Sequence, residues 1–186
     1  KYIESTFSAR GDELGGALDH MSAIGVSLSS TCYDPILRFG RQALSEVERR
    51  EAGPAMEMCA RSVILSAGLV SLMADDNYNC ALAHAVCYGL QHFEHVEREY
   101  LHGDLVAYGA LVQLAVDGQL DKARELRAFL VSLGTPVTLA QMRVPLEKAA
   151  LHDALIEATT GPDMAHIPYP VTQDMVFDAM RRVETL

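Results

Sequence analysis

The sequence has almost no run in which apolar and polar residues alternate, no pair of cysteines at CxxC spacing, and no apolar run near the length of a bilayer. The first absence removes sheet-based folds, because a half-buried strand needs that period of two. The second leaves Cys32, Cys59, Cys80 and Cys87 far apart or at helical spacing, which is no disulfide framework and fits a reducing cytoplasm. The third rests on Ser62 to Met73, the most apolar stretch, which falls short of the roughly 20 residues that span a membrane. Positive charge is scarce too: 15 Lys and Arg stand against 25 Asp and Glu, for a net charge of −10. Such a balance repels phosphate backbones and anionic lipid, so neither nucleic acid nor a membrane is an expected partner. Nothing at the start reads as a secretory signal; Lys1-Tyr2-Ile3-Glu4 opens without initiator methionine or cap residue, as part of something longer would.

What is abundant is apolar material, 49% of 186 residues, enough for a sizeable core. It recurs at i, i+3, i+4 and i+7 throughout, so the expected class is all-α, a helical bundle-like domain over residues 1–186. Glycine, proline and turn formers divide it. Helices are expected near 1–8, 11–23, 36–52, 54–74, 79–100, 104–116 and 120–133, with Gly25 to Pro35 a polar loop and Gly134 a left-handed stop. Another helix is expected from Val144-Pro145, with an apolar face of Leu146, Ala149, Ala150, Leu151, Ala154 and Leu155. A last one, capped by Thr172, carries Met175, Val176, Ala179, Met180 and Val183.

Chemistry concentrates on the 79–100 segment. Cys80, His84 and Cys87 stand at i, i+4 and i+7, one face of a helix and a pattern suited to a transition metal. The plainer alternative makes both cysteines small buried hydrophobes and His84 a core histidine bonded to a carbonyl. Ala81, Ala85 and Gly89 form a neighbouring small-residue stripe that lets another helix approach closely. Farther on, His102 sits beside Gly103 at the mouth of the helix from Asp104, either as a ligand or as an ordinary residue of a helix start. Asp12 reads as an exposed helix-start carboxylate, with reach toward a substrate as the alternative. His92 and His95 extend along the helix of His84 and read as partly solvated residues, with support of a metal shell as the alternative.

Two stretches then carry a resemblance. Ala81-Leu82-Ala83-His84-Ala85-Val86, followed eighteen residues after His84 by Leu101-His102-Gly103-Asp104-Leu105-Val106-Ala107-Tyr108-Gly109, is similar to the metal-binding core of the iron-containing alcohol dehydrogenase superfamily. Within it, the glycerol dehydrogenase-like branch is the nearer match. The second stretch resembles that superfamily's HGE-x-VA-x-G signature, with Asp104 for the usual glutamate. Leu111 to Leu114, Leu133 to Leu139 and Ile167 to Thr172 follow in the family's order and spacing.

The resemblance implies a helical C-terminal metal-binding domain whose nucleotide-binding α/β partner domain lies outside this chain. It implies His84 and His102 as ligands to Zn²⁺ or Fe²⁺, with a third ligand, an aspartate, just before Lys1. It also implies a metal-dependent oxidoreductase that moves a hydride between a small polyol or alcohol, glycerol-like, and NAD or NADP, cytoplasmic and a homo-oligomer when intact. The segments departing from the family are Asn79-Cys80 and Cys87-Tyr88, where glycerol dehydrogenases carry a glycine pair and a His-Asn. Two alternatives stay open: a dehydroquinate synthase-like lyase, for which Ala83 to Tyr88 lacks the expected GH-x-x-GH form, and a non-enzymatic helical interaction domain.

Overall fold

The computed structural model describes residues 1–15 and 18–186, with side chains outside 13–17. It is 71% helical and has no strand among the described residues, so the all-α expectation holds. The chain divides into two compact units, Lys1–Cys80 and Ala81–Leu186.

In the first unit, α1 (Tyr2–Gly15) is followed by α2 (His20–Leu28), a 3₁₀ turn Ser29–Cys32, and α3 (Asp34–Glu48). Next come α4 (Pro54–Arg61), a π-helical turn Ser62–Ser66, and α5 (Ala67–Met73). Ala9, Val26, Val70, Ala74 and Tyr78 form its core, with Leu18, Leu28 and Cys32 packed against them. Two expectations fail here. The helix near 1–8 runs on through Gly11 to Gly15, and α2 starts only at His20, where Asp19 accepts hydrogen bonds from the backbone N–H groups of Met21 and Ser22. Residues 16 and 17 of the expected 11–23 helix lie outside the described residues. The Gly25 to Pro35 loop is largely helical. Gly25 sits on α2 because a Cβ there would meet the Ala74 backbone nitrogen at 2.6 Å, so that glycine serves packing between α2 and α5 rather than a turn.

Gly53-Pro54 does separate α3 from α4. The buried Glu46 of α3 accepts the Met56 N–H at 2.7 Å, filling one of the unpaired donors at the start of α4. From Pro54 to Met73 the helical stretch is 20 residues with hydropathy 1.4, long and apolar enough by length and composition to cross a membrane. This corrects the count made on Ser62 to Met73 alone: Glu57 and Arg61 interrupt the apolar run, but they pair with each other one turn apart.

The second unit holds α6 (Leu82–Leu90), α7 (Glu94–Glu99), α8 (His102–Val116), α9 (Leu120–Ser132), α10 (His152–Thr160) and α11 (Gln173–Val183). Its core is built on α6, α8, α10 and α11, with Leu82, Leu90, Leu105, Leu111, Leu155 and Met180 fully buried. Gly134 takes positive φ at the end of α9, as the sequence predicts, and Gly118 does the same at the end of α8. Thr172 accepts the Met175 N–H and caps α11, whose Val176, Ala179, Met180 and Val183 are buried.

The single helix expected over 79–100 is two helices with a turn at 91–93, and it begins at Leu82 because Ala81 has extended backbone (φ −158°, ψ −145°). The helix expected from Val144-Pro145 begins instead at His152. Leu146, Ala149 and Ala150 are not buried; Ala154, Leu155 and Ala158 are. Arg143 takes φ 56°, a left-handed backbone that ends the preceding turn instead of opening a helix.

Candidate metal centre

The separation of α6 from α8 follows from small residues. A Cβ on Gly109 would stand 2.2 Å from the Ala83 carbonyl oxygen, so only glycine lets the two backbones meet there. Gln113, one turn further along α8 and 1% exposed, accepts the Ala83 N–H through Oε1 at 3.0 Å, satisfying a donor in the first turn of α6. At the other end, Cys87 of α6 meets His102 in the first turn of α8. The helices are therefore antiparallel, with the start of α6 against the middle of α8. On the opposite side of α6, Gly89 does the same for α10, where a Cβ would lie 2.5 Å from the Ala154 carbonyl oxygen. Ala81 and Ala85 are fully buried, so the small-residue stripe is a packing surface as expected.

This crossing brings His84 and His102 together. Their ring centroids are 5.5 Å apart at an interplanar angle of 48°. Tyr88, one turn after His84, completes a triangle, its ring 6.1 Å from each imidazole and 38% exposed. His84 is half-buried and His102 exposed, so the pair opens outward from a floor made by Cys87, which is 0% exposed. Cys87 Sγ lies 3.5 Å from His102 Nδ1 and 3.9 Å from the His102 carbonyl oxygen. Asp104 accepts the Leu101 N–H and steadies the start of α8.

Two imidazoles bound to one tetrahedral ion through N–metal bonds of about 2.0–2.1 Å have ring centroids about 5 Å apart. The observed 5.5 Å fits that figure, and nitrogen donors suit zinc or iron. Among the described residues no group of three His, Cys, Asp or Glu side chains converges in a way that could hold a metal ion.

The other candidates disperse. Cys80 precedes α6 and follows a different backbone path from His84 and Cys87, so the three do not form one helical face. His92 lies exposed in the turn after α6. His95 lies on α7, where its Nε2 donates to the Met142 carbonyl at 3.0 Å, a structural bond between α7 and the 139–143 turn. Asp12 is in the later part of α1 rather than at a helix start, and accepts the Tyr78 hydroxyl at 3.0 Å. A cleft of about 550 Å³ lined by Leu146, Asp178, Arg181 and Arg182 includes neither histidine. Gln113 and the contact of Cys87 with His102 carry no local sequence signal, since each joins residues brought together only by the α6–α8 crossing.

Among solved structures the chain matches a probable glycerol dehydrogenase from Sinorhizobium meliloti 1021, with TM-score 0.80 and 23% identity over 98% of this chain and 53% of that one. It also matches glycerol dehydrogenase from Schizosaccharomyces pombe, with TM-score 0.83 and 23% identity over 99% of this chain and 46% of that one. The fold is thus that of a helical part of dehydrogenases of this kind.

In sequence it is 30% identical to Hydroxycarboxylate dehydrogenase A of Escherichia coli K12 over 164 residues, 87% of this chain and 45% of that protein. It is 30% identical to the glycerol dehydrogenase of Thermotoga maritima over 174 residues, 91% of this chain and 45% of that protein. No family model matches the chain. The chain spans less than half the length of these relatives, and with them it belongs to the iron-containing alcohol dehydrogenase superfamily.

Proposed function

We propose that these residues are the helical, metal-holding part of an NAD(P)-dependent dehydrogenase acting on a small polyol or alcohol of the glycerol kind. The observation that carries the proposal is the pair His84 and His102, from two antiparallel helices, at a spacing that suits one shared ion. The names of the relatives, glycerol and hydroxycarboxylate dehydrogenases, support the same chemistry.

His84 and His102 would hold Zn²⁺ or Fe²⁺ together with a third ligand, an aspartate from outside these residues. When bound, the ion supplies Lewis acidity toward a substrate hydroxyl. The protein's own contribution is placement. The α6–α8 crossing fixes the two imidazoles, buried Cys87 keeps water from their inner side, and exposed Tyr88 offers an apolar face with a hydroxyl beside the open side, where a polyol would lie. The nicotinamide cofactor would be held by a nucleotide-binding α/β domain outside these residues, as the greater length of the relatives suggests. The intact protein would work in the cytoplasm as a homo-oligomer.

The test is metal content with activity. A protein extended upstream to include the aspartate should carry about one zinc or iron per chain and oxidise glycerol-like polyols with NAD⁺. His84→Ala and His102→Ala should each lose the metal and at least about 100-fold in kcat/KM while keeping the helical fold. Retention of metal and activity in either variant would refute the assignment.

A further inference from the structure

Cys87 touches His102 in two places, one of which has a single possible direction. The carbonyl oxygen of His102, 3.9 Å from the sulfur, can only accept, so toward it the thiol is the donor. A thiol has one hydrogen. With the thiol hydrogen on that carbonyl, the sulfur is the acceptor toward His102 Nδ1, 3.5 Å away, and Nδ1 carries the ring proton. A neutral imidazole protonated at Nδ1 has its lone pair at Nε2. The sulfur side of the contact is 0% exposed.

We propose that Cys87 is a positioning residue for His102: its sulfur accepts the Nδ1 proton while its thiol hydrogen goes to the His102 carbonyl, which commits Nε2 to the metal ion. The inference rests on the reading of His102 as a ligand and deepens it. It gives the Cys87 that stands here in place of the family's histidine a role in holding the second imidazole. In many metalloproteins a carbonyl or carboxylate holds the far nitrogen of a ligating histidine in this manner, and here a thiol does so from the neighbouring helix.

The test reads the ring directly, by ¹⁵N NMR of His102 in the metal-free, upstream-extended protein, alongside Zn²⁺ titration. The wild type should show Nδ1 protonated. Cys87→Ser, whose hydroxyl can donate and accept in the same way, should keep that tautomer and bind zinc within about threefold of wild type. Cys87→Ala should shift His102 toward the Nε2–H form preferred by histidine in water and bind zinc about 10–100-fold more weakly. An Nε2–H ring in the wild type overturns the proposal without any variant having to fold. So does an unchanged tautomer in Cys87→Ala, and zinc bound normally in that case leaves His102 a ligand. If the tautomer follows Cys87 but the wild type takes up no zinc, the ligand reading fails, and with it the role assigned to the bond.

Discussion

At the scale of single residues, the clearest physical signature outside the histidine pair is Tyr78. Burial, then its bond to Asp12 and the charges of Asp12 and Asp75, push its phenol up from 10 to about 12. A pKa raised on folding means that the neutral form is favoured by the folded state. The contribution to stability is then complete below pH 10 and fades as pH rises from 10 to about 12. Tyr78→Phe should lose about 1 kcal/mol at pH 7 and show a shallower fall in urea midpoint between pH 9 and 11 than wild type. A parallel fall in both proteins would assign the alkaline loss elsewhere, for instance to Tyr108, whose burial raises its phenol well above the ordinary value. The sequence made His84 and His102 visible only through a resemblance, because a lone histidine on an apolar helix looks the same whether it is a ligand or a core residue. Asp12 could not be read correctly, since its partner Tyr78 is 66 residues away.

At the scale of elements, glycines at crossings decide more than glycines at turns. Gly109→Ala places a methyl group on the Ala83 carbonyl and should cost about 3 kcal/mol or more, a loss read as a lowered thermal midpoint. The same substitution at Gly103, where a Cβ would meet nothing within 4 Å, should cost under about 1 kcal/mol. A similar cost at both positions would mean that the α6–α8 distance is not set by that contact. Helix ends marked by Gly134 and Thr172 were legible because each has a conformational or capping reason in its own residue type. The break at 91–93 was not, because Gln91, His92 and Phe93 include no turn former. The start of α6 at Leu82 was hidden likewise, since nothing about alanine announces the extended backbone of Ala81. That one misplacement is what assembled Cys80, His84 and Cys87 into a ligand face that the fold does not contain.

At the scale of the whole molecule, composition was enough for the class, and the two compact units were not foreseen. A helical periodicity says which side of each helix is buried but not which helices share a core. Both proposed ligands fall in the Ala81–Leu186 unit, and none of these sequences reads as a phosphate-binding glycine loop. The 186 residues alone should therefore give no NAD⁺-dependent oxidation of glycerol in a spectrophotometric assay. Turnover should require the nucleotide-binding portion, and measurable turnover by these residues alone would contradict the division of labour proposed here.

The close meeting of Gly109 with Ala83 has one more consequence. Because an absent methyl group sets how far α6 stands from α8, the spacing of the two imidazoles follows from the crossing of the backbones. Loading the proposed site should then order little of the chain, and calorimetry should find a small heat-capacity change on metal uptake. Exchange of one ion for another then becomes a local event at the surface of a backbone that does not have to move.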